Sequence, residues 1–214
     1  MIRAVIFDLD GTLLDTLDDL TAAVNHALQS CGFPQRTRDE VRAFIGNGVI
    51  RLMQRAVPQG TAQPEFDRCF ALFREHYLSH MNDRTRAFDG ILPLLGELKR
   101  RGVKSAVVSN KLHAGVAGLC NTYFTDSVDC ALGVADESER KPNPVNVLRA
   151  MQTLGVSPEE TLCVGDSEVD VQTAENAGLR CVGATWGYRS RETLLQAGAW
   201  RLIDTPQALL PLLD

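Results

Sequence analysis

From residue 86 to the end, short apolar runs alternate with amphipathic stretches, and this alternation limits the fold more than any other property of the chain. VKSAVVSN (103–110), VDCALG (128–133), TLCVGD (161–166) and LRCVGAT (179–185) each read as a buried strand. Helical patterns separate them: 91–101 closed by Gly102, about 112–122, 144–154 closed by Gly155, and about 168–177 closed by Gly178. A helix near 190–197, a strand near 200–203 and a helix from Pro206 complete the series. IRAVIF (2–7) adds one more strand at the N-terminus. Runs apolar on every position need cover on both faces. The series therefore predicts an α/β fold, a Rossmann-like parallel sheet with helices on both sides.

Residues 16–85 differ: they contain no convincing strand. Leu17, Leu20, Val24, Ala27 and Leu28 recur at helical spacing behind Asp15 and Thr16, which can cap the helix. Gly32, Phe33 and Pro34 end it. Thr37-Arg38-Asp39-Glu40 is a capping-box pattern for a second helix to about Val57, interrupted by GNG at 46–48. A third helix runs from Glu65 to about His80. The expected organisation is an α/β core of residues 1–15 and 86–214 carrying a helical insertion at 16–85.

Composition narrows the function. A formal net charge of −5 argues against bulk nucleic-acid binding, which needs basic surface. No apolar run approaches the roughly 20 residues that span a bilayer. The N-terminal apolar stretch ends in carboxylates rather than a small-residue cleavage site. The expectation is a cytoplasmic protein, monomer or homodimer, with no membrane or nucleic-acid partner. The six cysteines form no CxxC pair and read as buried, reduced thiols.

Four polar clusters stand after strands or in the loops between them: Asp8, Asp10, Gly11 and Thr12 in DLDGT; Ser109, Asn110 and Lys111; Lys141 in RKPNP; and Asp166, Ser167 and Asp170 in GDSEVD. Strand C-termini of a parallel sheet share one edge, so clusters distant in sequence can meet there. Asp8 and Asp166 offer hard anionic oxygens, the ligand type that magnesium prefers. Carboxylates alone would repel a phosphate dianion, and a metal with Lys141 offsets that repulsion. Ser109 and backbone N–H groups near Gly11 and Asn110 can hold phosphoryl oxygens. A carboxylate can then attack phosphorus, and a second one, Asp10, can protonate the leaving alkoxide and later activate water.

In this order, DLDGT, Ser-Asn after an apolar strand, Lys before Pro and GDxxxD resemble the haloacid dehalogenase-like hydrolase superfamily across essentially the whole chain. The resemblance implies Asp8 as nucleophile and metal ligand, Asp10 as acid/base and, through its carbonyl, metal ligand, and Asp166 as metal ligand for Mg2+. It implies Ser109 and Lys141 as phosphate binders, with Asp170 supporting the metal's water shell or Lys141. The acid at position 10 favours phosphoryl transfer over carbon–halogen cleavage. The helical insertion resembles the family's small cap domain. Lys111 after Ser-Asn, TWGYRS (185–190), and Gly46, Asn47 and Gly48 with Arg51 a turn later resemble the phosphoglycolate phosphatase-like branch, in which that loop closes over substrate. Lys111 either touches substrate or lies at the rim of the site. Trp186 and Tyr188 read as packing residues rather than ligand contacts.

The expected activity is magnesium-dependent hydrolysis of a small phosphomonoester, with 2-phosphoglycolate as the best single substrate. A sugar-phosphate mutase, an inorganic pyrophosphatase and a non-catalytic regulator are the alternatives. Outside these motifs, His76 and His80 have the i, i+4 spacing of a helical metal site. No third ligand is evident nearby in sequence, and a solvated helix face is the favoured reading.

Overall fold

The computed structural model describes every residue, Met1–Asp214. In chain order, β1 (Ala4–Phe7) and the two-residue β2 (Leu14–Asp15) precede four helices, α1 (Leu17–Ser30), α2 (Arg38–Phe44), α3 (Gly48–Ala56) and α4 (Gln63–His80). The two-residue β3 (Arg86–Ala87) follows, then α5 (Ile91–Arg100), β4 (Lys104–Leu112), α6 (His113–Tyr123) and β5 (Cys130–Val134). The last elements are α7 (Val145–Leu154), β6 (Thr161–Gly165), α8 (Glu168–Asn176), β7 (Arg180–Ala184), α9 (Arg191–Gln196) and β8 (Arg201–Ile203). The chain divides into two compact units, one of Met1–Leu14 with Ala87–Asp214 and one of Asp15–Arg86. β2 and β3 pair with each other as a separate two-stranded ribbon.

The larger unit is built on a six-stranded sheet in the order β5-β4-β1-β6-β7-β8, with parallel pairing throughout. This is the α/β architecture that the alternation of strands and helices predicts. Successive residues of a strand point to opposite faces, and both faces here are apolar. On β1, Val5 and Phe7 join one core with Val107, Leu162, Val164 and Val182, covered by α5 and α6 through Ile91, Leu94, Leu98, Val116 and Leu119. Ala4 and Ile6 join the opposite core with Ala106, Val108, Cys163 and Cys181, covered by α7 and α8 through Val147, Met151, Leu154 and Val171. Because β1 pairs with β4 on one side and β6 on the other, its C-terminal end lies where the strand order reverses. Ligands of open α/β sheets bind in that crevice.

Two details depart from the sequence expectation, and a third, the break at 46–48, follows it. β4 runs on to Leu112, and its register against β5 slips between Val108 and Leu112, so Ser109, Asn110 and Lys111 sit on a bulge of the strand. Bulges bend a strand and re-aim its side chains, and they recur beside active sites. The C-terminal segment Pro206–Leu212 is a 3-10 helix with Pro211 inside it. Proline lacks the N–H that an α-helical ladder would need there. The region 37–57 forms two helices, because Gly46 and Gly48 both take positive φ.

The smaller unit is helical. Phe66, Cys69, Phe73 and Tyr77 form the buried stripe of α4, and Leu17, Leu20, Val24, Ala27 and Leu28 that of α1. The Thr37–Glu40 capping box is formed: Glu40 N donates to Thr37 Oγ1 at 3.2 Å, and Thr37 N donates to Glu40 Oε2 at 2.7 Å.

Candidate active site

Every polar cluster picked out by sequence reasoning in the larger unit lies at the C-terminal ends of β1, β4 and β6 or in the loop before α7. Asp8 follows β1 directly, and its N–H donates to Val164 O on β6 at 2.9 Å, which carries the ladder up to the catalytic edge. Its Oδ1 accepts from Lys141 Nζ at 2.8 Å, whereas Oδ2 receives no hydrogen bond from the protein. One carboxylate oxygen is thus restrained and the other is left to react or to ligate.

Lys141 is a buried cation with every donor used. Nζ donates to Asp170 Oδ1 at 2.6 Å, Asp8 Oδ1 at 2.8 Å and Val108 O at 3.1 Å. Burial opposes its charge, but the carboxylates of Asp170 and Asp8 outweigh burial and raise its pKa. Asn110 fixes the lysine's backbone from the bulge: Lys141 N donates to Asn110 Oδ1 at 2.7 Å, and Asn110 Nδ2 donates to Lys141 O at 3.3 Å. The Asn110 side chain therefore holds Lys141 rather than facing a ligand.

Asp166 ends the β6 segment. It accepts from Thr12 Oγ1 at 3.0 Å and from the Tyr188 N–H at 2.8 Å. The Thr12 hydroxyl is thereby committed to Asp166. Two glycines make room for this carboxylate. Gly11 has φ of +94°, and a Cβ there would lie 2.5 Å from Asp166 Oδ2; a Cβ at Gly187 would lie 2.2 Å from Asp166 Cβ. Asp170 both caps α8, through Ser167 N and Oγ, and holds Lys141. Helix capping and the hold on Lys141 are done by its two oxygens separately.

Asp8, Asp166 and Asp170 each place one oxygen within 4.8 Å of the others. Three buried carboxylates against one ammonium leave excess negative charge in a poorly solvated place. Burial raises the Asp8 pKa to about 7, the neighbouring acids adding to the shift and Lys141 opposing it. Burial, with Asp170 and Asp8, raises that of Asp166 to about 8. A hard divalent cation beside Asp8 and Asp166 would relieve this repulsion, and an all-oxygen donor set with one free carboxylate oxygen fits magnesium.

Asp10 turns elsewhere. Its Oδ1 accepts from Lys111 Nζ at 3.0 Å, with the lysine side chain only 3 % exposed. The structure thus brings Lys111 to Asp10, while the Ser109 hydroxyl accepts only from the Lys111 N–H at 3.3 Å and keeps its own proton for a ligand. The loop residues Gly46, Asn47 and Gly48 lie in the smaller unit. Arg55 holds that loop, donating to Asn47 Oδ1 and Phe44 O at 2.9 Å, and Arg51 donates to Gln54 Oε1 at 2.9 Å. Sequence reasoning did not single out Gly187, Gly165 or the Tyr188 N–H. Their part is backbone space and one N–H, which leave a trace only in the TWGYRS resemblance and in the glycine of GDxxxD. Tyr188 and Trp186 do pack, as expected, though Trp186 Nε1 also donates to Thr12 O at 3.0 Å.

A profile of haloacid dehalogenase-like hydrolases matches residues 5–184. The chain belongs to this family. Phosphoglycolate phosphatase 1 of Pseudomonas aeruginosa is 37 % identical over 222 residues, covering 99 % of this chain and 80 % of that protein. A crystal structure from Lactobacillus delbrueckii superposes with a TM-score of 0.93 at 34 % identity, covering 99 % of this chain and 98 % of that one. CbbY from Rhodobacter sphaeroides, solved in complex with phosphate, superposes with a TM-score of 0.80 at 28 % identity over 98 % of this chain and 96 % of its own. Among haloacid dehalogenase-like hydrolases, the chain is a phosphatase of the phosphoglycolate phosphatase-like branch.

Proposed function

We propose that this phosphatase hydrolyses 2-phosphoglycolate with the help of Mg2+, forming an aspartyl-phosphate on Asp8. The observation that carries this reading is the Asp8 carboxylate, with Oδ1 fixed by Lys141 and Oδ2 free beside Asp166. The substrate comes from the likeness to the P. aeruginosa phosphoglycolate phosphatase.

Asp8 and Asp166, with the Asp10 carbonyl, would hold the magnesium ion, which supplies charge neutralisation on the transferring phosphoryl group. Lys141 keeps Asp8 oriented and offsets part of the charge that phosphate brings. The Ser109 hydroxyl and backbone N–H groups near Asn110 bind phosphoryl oxygens, whereas the Gly11 N–H donates to Leu14 O at 2.8 Å and is not available for this. Asp8 Oδ2 attacks phosphorus in line with the departing oxygen. Asp10 protonates that oxygen, then takes a proton from the water that attacks the aspartyl-phosphate. Lys111 holds one oxygen of the Asp10 carboxylate, so that the acid/base and the nucleophile two residues apart do not share one cation. Residues 16–85 act as the cap, and the loop at Gly46, Asn47, Gly48 and Arg51 contacts the organic part of the substrate.

A phosphoester panel assayed with and without Mg2+ tests the proposal. Phosphate release from 2-phosphoglycolate, lost without metal and lost in Asp8→Asn while the fold is kept, is the expected result. Near-normal turnover by Asp8→Asn refutes the nucleophile. A different preferred ester refutes the substrate but leaves the mechanism standing.

A further inference from the structure

The segment that follows β7 supports the Asp166 carboxylate at both of its oxygens. The Tyr188 N–H donates directly to Asp166 Oδ2 at 2.8 Å. Gly187 lies so close that a Cβ on it would come within 2.2 Å of Asp166 Cβ and 2.5 Å of Gly11 O. Trp186 reaches the same carboxylate through one intermediary. Its Nε1 donates to Thr12 O at 3.0 Å, and Thr12 Oγ1 donates to Asp166 Oδ1 at 3.0 Å. Thr12 is fully buried, and Trp186 is half-buried with its ring against the core that α5 and α6 cover.

We propose that Trp186 is a positioning residue of the metal site. Its indole N–H anchors Thr12, and through the Thr12 hydroxyl it sets the orientation of Asp166 and the affinity for Mg2+, with no direct part in phosphoryl transfer. The inference rests on the reading of Asp166 as a magnesium ligand.

The hydrogen bonds of the turn after Asp8 explain why one indole N–H matters. Leu9 O accepts from the N–H groups of Thr12, Leu13 and Leu14 at 3.3, 3.0 and 2.9 Å, and Gly11 N donates to Leu14 O at 2.8 Å. Both ends of each bond lie within the turn, so these bonds hold its shape rather than its place. Two donors from elsewhere reach its carbonyls: Phe88 N at Leu13 O, at 3.1 Å, and Trp186 Nε1 at Thr12 O. Only the second belongs to the segment that also holds Asp166. Loosening Thr12 releases Asp166 Oδ1 while Oδ2 stays on the Tyr188 N–H. Partners that orient a metal ligand from behind are worth about 10–100-fold in metal affinity or activity.

The Mg2+ dissociation constant of the full-length protein, taken from the rise of its melting temperature with Mg2+ concentration, tests the assignment. Trp186→Phe keeps an aromatic ring against the core and removes the N–H. It should weaken Mg2+ binding by about tenfold, with kcat recovering toward the wild-type value at saturating Mg2+ and KM for the ester unchanged. Trp186→His carries an N–H at Nε2, the ring position that corresponds to the indole nitrogen, and should regain part of the lost affinity despite its smaller ring. In the double variant, Trp186→Phe should add less than about twofold to the effect of Thr12→Val, because the two act through one path. A role in packing alone would instead lower the metal-free melting temperature, leave the dissociation constant in place and make Trp186→His worse than Trp186→Phe. An unchanged Mg2+ dissociation constant in Trp186→Phe, or full additivity in the double variant, overturns the proposal while the metal reading stands. A wild type that binds no Mg2+ overturns the metal reading and this inference with it.

Discussion

At the residue scale, the site depends as much on absent side chains as on present ones. Gly187→Ala places a Cβ 2.2 Å from Asp166 Cβ and 2.5 Å from Gly11 O, and neither neighbour is the far end of a flexible chain. The backbone must shift. The expected outcome is a destabilisation of about 1–3 kcal/mol and a fall in kcat of about 100-fold, the cost of displacing a catalytic group by about 1 Å; thermal melts and steady-state rates measure the two. Wild-type kinetics in that variant would mean that Asp166 does not need its present position. Asp10→Asn is expected to lose turnover while still binding a phosphate analogue, because its carboxylate is held by Lys111 and makes no contact with Lys141. Loss of analogue binding in a titration would instead assign Asp10 to the framework. Sequence reasoning picked out residues by their side chains, Asp8, Asp10, Lys141 and Asp166, and the fold gathers these around the C-terminal ends of β1 and β6. What it could not read was direction. Nothing in the letters says that Asn110 grips the Lys141 backbone, or that the Thr12 hydroxyl is spent on Asp166, because these depend on the bulge in β4 and on the approach of β6.

At the element scale, the strands and helices were legible because both signals are clear in this chain, unbroken apolar runs in the strands and a period of 3.6 in the helices. The buried stripe of α4 shows what the helical period holds together. Phe73 is 1 % exposed, and its ring centroid lies 5.4 Å from that of Tyr77. Phe73→Ala should destabilise the protein by about 3–5 kcal/mol, the usual loss for an emptied aromatic site, and urea unfolding would show it. A loss below about 1 kcal/mol would mean that the unit around α1 and α4 collapses onto the gap. Element ends were less legible. The strand β4 reads as finished at Asn110, since polar residues signal a loop, yet it continues to Leu112 because backbone pairing with β5 resumes at Val134. Pairing across the sheet, not local composition, decides where that strand stops.

At the scale of the whole molecule, the buried acids couple folding to pH and to metal. The Asp8 and Asp166 pKa values rise from 3.8 in the unfolded chain to about 7 and about 8 in the metal-free fold. The folded state therefore holds more protons than the unfolded one between these limits. Stability from these groups is fully present below the unfolded value and is lost as pH rises through the folded values. The raised Lys141 pKa does not oppose this, since that lysine stays charged in both states across the window. The melting temperature of the metal-free protein should fall between about pH 4 and 8 and level off above that. Mg2+ should restore it, most strongly at the alkaline end, and should displace protons when added near pH 7. A metal-free melting temperature that is flat or rising over this interval would contradict the placement of the two acids. The parallel architecture itself was legible at this scale, because only one arrangement covers both faces of so many apolar strands. The order of the strands was not, since no local pattern distinguishes a neighbour on the left from one on the right.

That order has a consequence during synthesis. β1 leaves the ribosome before both of its partners, residues 104–112 and 161–165. At about 5–20 residues per second, the nascent chain carries this strand, apolar on both sides, for roughly 10–30 s before the second partner exists. The segment that will bear Asp8 is thus made before both of its partners and enclosed late. A nascent chain of this protein is expected to occupy a holding chaperone until the segment around Val164 has emerged, and to leave it when the strand finds its place between the other two.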